Sequence, residues 1–64
     1  MYISDYKAAK LKKKMEPVKG KSNHGSVYSL ISKEIYLKHR NDFHKYSRVS
    51  GLWVGDKEVL VSYQ

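Results

Sequence analysis

The sequence predicts a small α+β protein in which an antiparallel sheet is packed by a helix. Three observations support this fold class. Residues 48–63 alternate apolar and polar side chains around Gly55-Asp56, as in a β-hairpin, and residues 26–31 form a short β-branched and aromatic run typical of a strand. Residues 33–46 follow a serine and are rich in helix-forming residues, so they are expected to pack on the sheet.

The C-terminal hairpin supplies the best core candidate. If Gly55 and Asp56 are the two central residues of a type I′ or II′ turn, Val54 lies opposite Lys57 and Leu52 lies opposite Val59. Side chains alternate along a strand, so one face collects a core set: Leu52, Val54, Val59, Val61 and Tyr63. The opposite face carries Val49, Trp53 and Leu60, which another element must cover or a partner must contact.

Upstream, residues 3–15 favour a basic helix with Ser4 as its N-cap. Its apolar residues fall on two sides, since Tyr6 and Ala9 lie away from Ala8, Leu11 and Met15. Pro17 is expected to end this helix, and residues 18–25 have the polar, glycine-containing character of a loop or hinge. A helix beginning at Ser26 competes with the strand prediction for 26–31.

For residues 33–46, Ser32 is a suitable N-cap, and Ile31 with Tyr36 is placed as a hydrophobic staple. The residues at helical spacing on the expected inner stripe are Ile35, His39, Phe43 and Tyr46. Residues 35–40 also alternate in polarity, so a strand there is the competing interpretation, and it would favour an SH3-like or OB-like barrel.

Length and charge place the chain among small basic proteins. Its 64 residues predict a single small domain, divided into a basic helical arm at 1–21 and a compact α+β body at 22–64. The formal net charge is +7, and residues 1–21 hold seven lysines and two acids, a net +5. Such an excess favours polyanionic partners, chiefly nucleic acid. No cysteine, membrane-spanning run or signal peptide is evident, so a soluble, cytoplasmic protein is expected.

Basic residues interleaved with aromatic ones give the clearest functional indication. They predict a non-enzymatic protein that binds the phosphate backbone of DNA or RNA through its N-terminal lysines. The candidate contacts are Lys7, Lys10, Lys12, Lys13, Lys14, Lys19, Lys21, Arg40, Lys45 and Arg48, the last three forming a second group that would continue a groove from the arm. If exposed, four aromatic residues would stack on bases or anchor an interface: Tyr6, Tyr28, Tyr36 and Trp53.

Enzymatic and metal chemistry find little support. His39 and His44 lie about 140° apart on a helix and His24 is distant in sequence, so no metal site is predicted. Asp42 beside the histidines matches no catalytic signature, and Lys19-Gly20-Lys21-Ser22 lacks the upstream glycine of a phosphate-binding loop. The sequence therefore predicts neither catalytic residues nor a cofactor.

The alternative function is a small protein-binding module that inhibits or modulates a larger enzyme or assembly through the hairpin. Either the face with Val49, Trp53 and Leu60 or an open strand edge would be the contact, and a homodimer through the hairpin edge follows the same logic. At fold level, a helix followed by a tight hairpin also resembles the recognition helix and wing of winged-helix DNA binders. Asp56 and Glu58, however, make this turn a poor contact for phosphate.

Overall fold

The computed structural model describes residues 2–19 and 27–63, which form an antiparallel sheet of five strands with helices on both faces. The strand order is β1-β3-β5-β4-β2, and the predicted α+β class is confirmed. The elements follow one another as β1 (Tyr2–Ile3), α1 (Asp5–Lys12), β2 (Glu16–Lys19), β3 (Val27–Ser32), α2 (Lys33–Lys38), α3 (Arg40–Lys45), β4 (Val49–Val54) and β5 (Glu58–Tyr63).

The C-terminal hairpin forms with the predicted faces but a shifted turn. Val54 pairs with Val59, and the Gly55 amide donates to the Glu58 carbonyl at 2.8 Å. The chain therefore reverses over Asp56 and Lys57, one residue later than predicted. The pairing shifts by two residues, an even number, so each side chain stays on its predicted face.

A bulge in β4 changes the face of one residue. The register slips between Val49 and Gly51, so Ser50 and Gly51 together oppose Ser62. Val49 consequently turns to the side of Leu52 and Val59 and joins the core there. The sequence placed Val49 beside Trp53, which was wrong, because strict alternation takes no account of a bulge.

The hairpin lies in the middle of the sheet. β3 pairs with β5 along six positions, and β2 pairs with β4. β5 lies between β3 and β4, and β2 pairs with Leu52–Val54 of β4, so the described hairpin lies inside the sheet rather than at its edge, where the dimer was predicted to form. For the same reason the hairpin is not a projecting wing.

One face of the sheet, the α2–α3 side, is covered by α2 and α3. Its core contains Tyr36, Leu52, Val59 and Val61, with Phe43 packed against them. Ser32 caps α2 as predicted, since its Oγ accepts from the Glu34 amide at 3.2 Å. Burial of each such large apolar side chain stabilises the fold by about 1.5–3 kcal/mol.

The predicted continuous helix 33–46 is instead two short helices that meet at His39, with φ −113° and ψ 27°. The break changes which side chains face the sheet. Tyr36 is buried, whereas Ile35 is 51% exposed and Tyr46 is 56% exposed. His39 is exposed as well, so the predicted stripe was wrong at three of its four positions. A single helical period does not continue through a residue with non-helical dihedrals. The competing strand at 35–40 does not form.

The other face of the sheet, the α1 side, is covered by α1. Ala8 is fully buried against Tyr28, Trp53 and Leu60, and Leu11 joins this contact. Ser4 caps α1 as predicted, its Oγ accepting from the Lys7 amide at 3.3 Å.

The described part of the predicted arm is built into the sheet rather than standing apart from it. β1 pairs with β3 at one edge, and β2 pairs with β4 at the other. Val18 and Lys19, predicted as loop, belong to β2. Pro17 is tolerated because β2 is an edge strand, where one side of the backbone needs no ladder partner. The rest of the predicted loop, Ser26 and Lys21 lie outside the described residues.

Candidate functional site

α1 has a packed side and a basic side. Ala8, Leu11 and Met15 recur at helical spacing and face the sheet. On the outer side lies a set of exposed lysines that we term the lysine face: Lys7, Lys10, Lys13 and Lys14. At 1.5 Å per residue the helix and its C-cap carry this set over about 9 Å, from Lys7 to Lys13, and Lys14 follows in the next turn. At 100° per residue, Lys13 and Lys7 lie about 120° apart around the axis, with Lys10 between them.

The charge of the lysine face is not neutralised locally. Asp5 is the single acid in α1, one turn before the lysines. Within residues 2–19 and 27–63, the lysines of α1 make no ion pair with an aspartate or glutamate side chain; the ion pair found there joins His39 Nδ1 to Asp42 Oδ2 at 3.5 Å. Four ammonium groups therefore face solvent together and are available to an anionic partner.

Lys12 differs from its neighbours, because it lies at the edge of the packed side. Its Nζ donates to the Tyr28 hydroxyl at 2.8 Å. The same nitrogen lies 4.5 Å from the centre of the Tyr28 ring and 4.6 Å from the centre of the Trp53 ring. These distances are those of cation–π contacts. Lys12 is thus engaged within the fold, and the structure does not group it with the lysine face.

Lys19 also has an internal partner. Its Nζ donates to the backbone carbonyl of His44 at 3.0 Å, which links the edge strand β2 to α3. The side chain is half-buried and directed to the α2–α3 side, away from α1. Lys21, the remaining lysine predicted in the arm, lies outside the described residues.

Arg40, Lys45 and Arg48 are exposed, as a second basic group requires, but they belong to the other side of the protein. α1 packs on Trp53 and Leu60, whereas α2 and α3 pack on Leu52 and Val59. Because these residues alternate along the strands, the sheet separates the two basic groups. A groove joining them would have to pass around an edge of the sheet. Lys38, exposed at the end of α2, was not predicted as a member of this second group. Its positive charge was the one sequence feature that could have indicated it.

Three of the four candidate stacking residues are core residues. Tyr28 and Trp53, the latter 7% exposed, contact each other under α1 with ring centres 6.4 Å apart. Tyr36 packs beside Phe43 and is hydrogen-bonded to His44 Nε2 at 2.9 Å. The condition that these rings be exposed is therefore met by Tyr6 alone, which is 72% exposed.

The burial of Trp53 also bears on the alternative function. Val49 is buried on the α2–α3 side, and Trp53 and Leu60 are covered by α1. The predicted contact face of the hairpin is consequently part of the core in the single chain.

A shallow depression lies beside the C-terminal end of α1, and acids border it. Lys14 and Met15 form one wall and the hairpin turn forms the other, with Asp56 and Glu58 at its rim. An adjoining depression shares Lys14 and Asp56 and adds Glu16. Lysines line them as well, Lys57 in the first and Lys33 in the second. Each depression thus has two lysines and two carboxylates, and neither is a positive groove for an anionic strand.

Other chemistry is limited in the described residues. No three His, Asp or Glu side chains there are grouped as metal ligands. His24, the third histidine, falls in the stretch without description. None of the helices that the structure describes is long and apolar enough to cross a membrane.

Comparisons with known proteins do not add to this description. No protein-family model matches the chain, and searches of curated proteins and of solved structures found no significant match.

Proposed function

We propose that this protein binds nucleic acid without catalysis, holding the phosphate backbone against the lysine face of α1. The observation that carries the proposal is the set of four exposed lysines on one side of one short helix, with no carboxylate partner among the described residues. A helix fixed to a sheet holds these charges in a constant arrangement. Less conformational entropy is then lost on binding than with a flexible lysine tail.

The contacts are of the kind that position a protein on nucleic acid without reading its sequence. Lysine is a point charge on a flexible stem and suits phosphate oxygens, whereas base reading uses bidentate groups such as arginine, asparagine and glutamine. The lysine face contains none of these. We therefore expect affinity that depends strongly on salt and weakly on base sequence.

The alternative, a protein-binding module that acts through the hairpin, has less support. Trp53 and Leu60 would have to leave the core, and both hairpin strands already have neighbours in the sheet. In the described residues the hairpin's apolar faces are covered by the helices, and its strands lie inside the sheet rather than at its edges.

The test is a salt-titrated binding assay of the full chain against fluorescently labelled nucleic acid, with two matched variants. The first replaces the lysine face with glutamine: K7Q/K10Q/K13Q/K14Q. The second removes the same charge from the other side of the sheet: K38Q/R40Q/K45Q/R48Q. Each lowers the formal net charge from +7 by four. Circular dichroism verifies that both remain folded.

We expect the first variant to lose most of the affinity and the second to lose far less. Four lost phosphate contacts correspond to a change in salt slope of about 3.6 for a duplex, or about 2.8 for a single strand. Equal losses in the two variants would mean that overall charge, not α1, drives binding. Absence of salt-dependent binding by the parent protein would overturn the proposed function.

A further inference from the structure

We infer that the partner of the lysine face is double-stranded, and specifically a B-form DNA duplex whose major groove receives α1. This inference rests on the proposed function and identifies its substrate class. Three features of the described residues lead to it: the shape of the lysine face, the placement of the aromatic rings and the charge around the neighbouring depressions.

The lysine face is a ridge rather than a groove. α1 lies on the sheet along one side and exposes the other. At 100° per residue, Lys10 and Lys13 lie near the crest and Lys7 lies on one flank. An α-helix with side chains is about 10–12 Å wide, and the major groove of B-form DNA is about 12 Å wide. Lysines on the crest and one flank of such a ridge can reach phosphates that border the groove.

A single strand is bound in a different way. Proteins that hold unpaired strands combine a positive groove with aromatic rings on which successive bases stack. Here Tyr28, Tyr36 and Trp53 are buried. The ring of Tyr6 is exposed but has the Lys10 ammonium 4.5 Å above its centre, so one of its faces is partly occupied.

The depressions beside α1 do not supply the missing groove. Asp56 and Glu58 border one of them and Glu16 lies at the other. Lysines and carboxylates are equal in number in both, so neither offers a flexible strand a net positive surface, whereas a duplex seated on the crest of α1 keeps its phosphates near the lysines. A-form RNA offers a deep, narrow major groove that does not admit a helix, which favours DNA over RNA duplexes.

The experiment is a fluorescence-anisotropy titration of the full chain with four probes of equal length. The probes are a 16-base-pair DNA duplex, each of its separated strands and an RNA duplex of the same sequence. We expect the DNA duplex to bind about tenfold more tightly than either strand, since its two strands offer one charge per about 1.7 Å of axis. We expect the same preference over the RNA duplex, whose deep, narrow major groove does not admit a helix. We also expect Tyr6→Ala to leave duplex binding within about twofold, because no base stacks on that ring.

The outcomes separate this inference from the proposed function. A single strand bound as tightly as the duplex, with the salt dependence intact, would overturn the inference and leave the function standing. A loss of more than about tenfold in Tyr6→Ala would do the same by revealing base stacking. An RNA duplex bound as tightly as DNA would overturn the assignment to the B-form groove. Failure of every probe to bind at low salt would overturn both.

Discussion

The ammonium nitrogen of Lys12 lies 2.8 Å from the hydroxyl oxygen of Tyr28, above the aromatic pair that Tyr28 makes with Trp53. The apolar contact between α1 and the sheet is small, because Ala8 is the single fully buried residue of α1. The contact between Lys12 and Tyr28 adds to it. The helix that displays the lysine face is therefore held on the sheet partly by a lysine of its own. Lys12 contacts the core of the fold, whereas its neighbours Lys13 and Lys14 are exposed.

Replacing Lys12 with methionine should weaken the fold. Methionine preserves the aliphatic stem but removes the charge-assisted hydrogen bond and two cation–π contacts. Allowing for its partial exposure, we expect the free energy of unfolding to fall by about 1–2 kcal/mol in urea denaturation. Lys13→Met, on the exposed side, is the matched control and should change it by less than about 0.5 kcal/mol. Equal effects of the two substitutions would refute a structural role for Lys12.

Shortening a leucine side chain in the core beneath α2 should lower the free energy of unfolding far more than shortening one on the exposed side of that helix. Leu52 is fully buried, whereas Leu37 is 56% exposed. We expect Leu52→Ala to cost about 2–5 kcal/mol, enough to threaten folding in a domain of this size, and Leu37→Ala to cost less than about 0.5 kcal/mol. Thermal melts followed by circular dichroism compare them. A substantial loss in Leu37→Ala would indicate that α2 is covered in solution by another surface.

Gly55 is needed for space rather than for an unusual backbone conformation. A Cβ at this position would lie 3.1 Å from Met15 Cε and 3.2 Å from the Glu58 carbonyl oxygen. We expect Gly55→Ala to cost about 1–3 kcal/mol through overpacking. Part of this cost should disappear in a Met15→Ala background, because the side-chain obstacle is gone.

The double-mutant cycle is measured by chemical denaturation. Additive effects of Gly55→Ala and Met15→Ala would contradict the contact between the hairpin turn and the end of α1.

The cap of α1 should influence binding as well as stability. Ser4→Ala removes the acceptor for the Lys7 amide and should cost about 1 kcal/mol, with fraying of the first helical turn. Fraying releases Lys7 from the lysine face, so duplex affinity should fall modestly while Ser47→Ala, at an exposed position outside the helices and strands, leaves it unchanged. Unaltered α1 helicity and binding in Ser4→Ala would show that packing alone holds the helix.

Local signals predicted much of this fold. Ser4 and Ser32 were identified as N-caps because their hydroxyls satisfy free amides within a few residues. The strand face containing Leu52, Val59 and Val61 followed from alternation alone and survived a two-residue shift in register. Such features depend on neighbours in sequence, so a single sequence reveals them.

Features set by distant contacts were not predictable in the same way. Pro17 indicated the end of a helix, but pairing of β2 with β4 depends on residues more than 30 positions away. Likewise, nothing local distinguishes Lys12 from Lys13; the difference is that one of them lies over Tyr28 and Trp53. The sequence therefore indicated a basic site but assigned to it a lysine that the fold already uses.

The most direct measurement is a two-dimensional ¹⁵N–¹H NMR titration of the full chain with the 16-base-pair DNA duplex. We expect the amides of residues 5–14 to shift or broaden and those of Arg40–Lys45 to stay close to their starting positions. The proposed site is contradicted if the largest changes fall on Arg40–Lys45 and the residues up to Arg48, because the bound surface would then lie away from the lysine face.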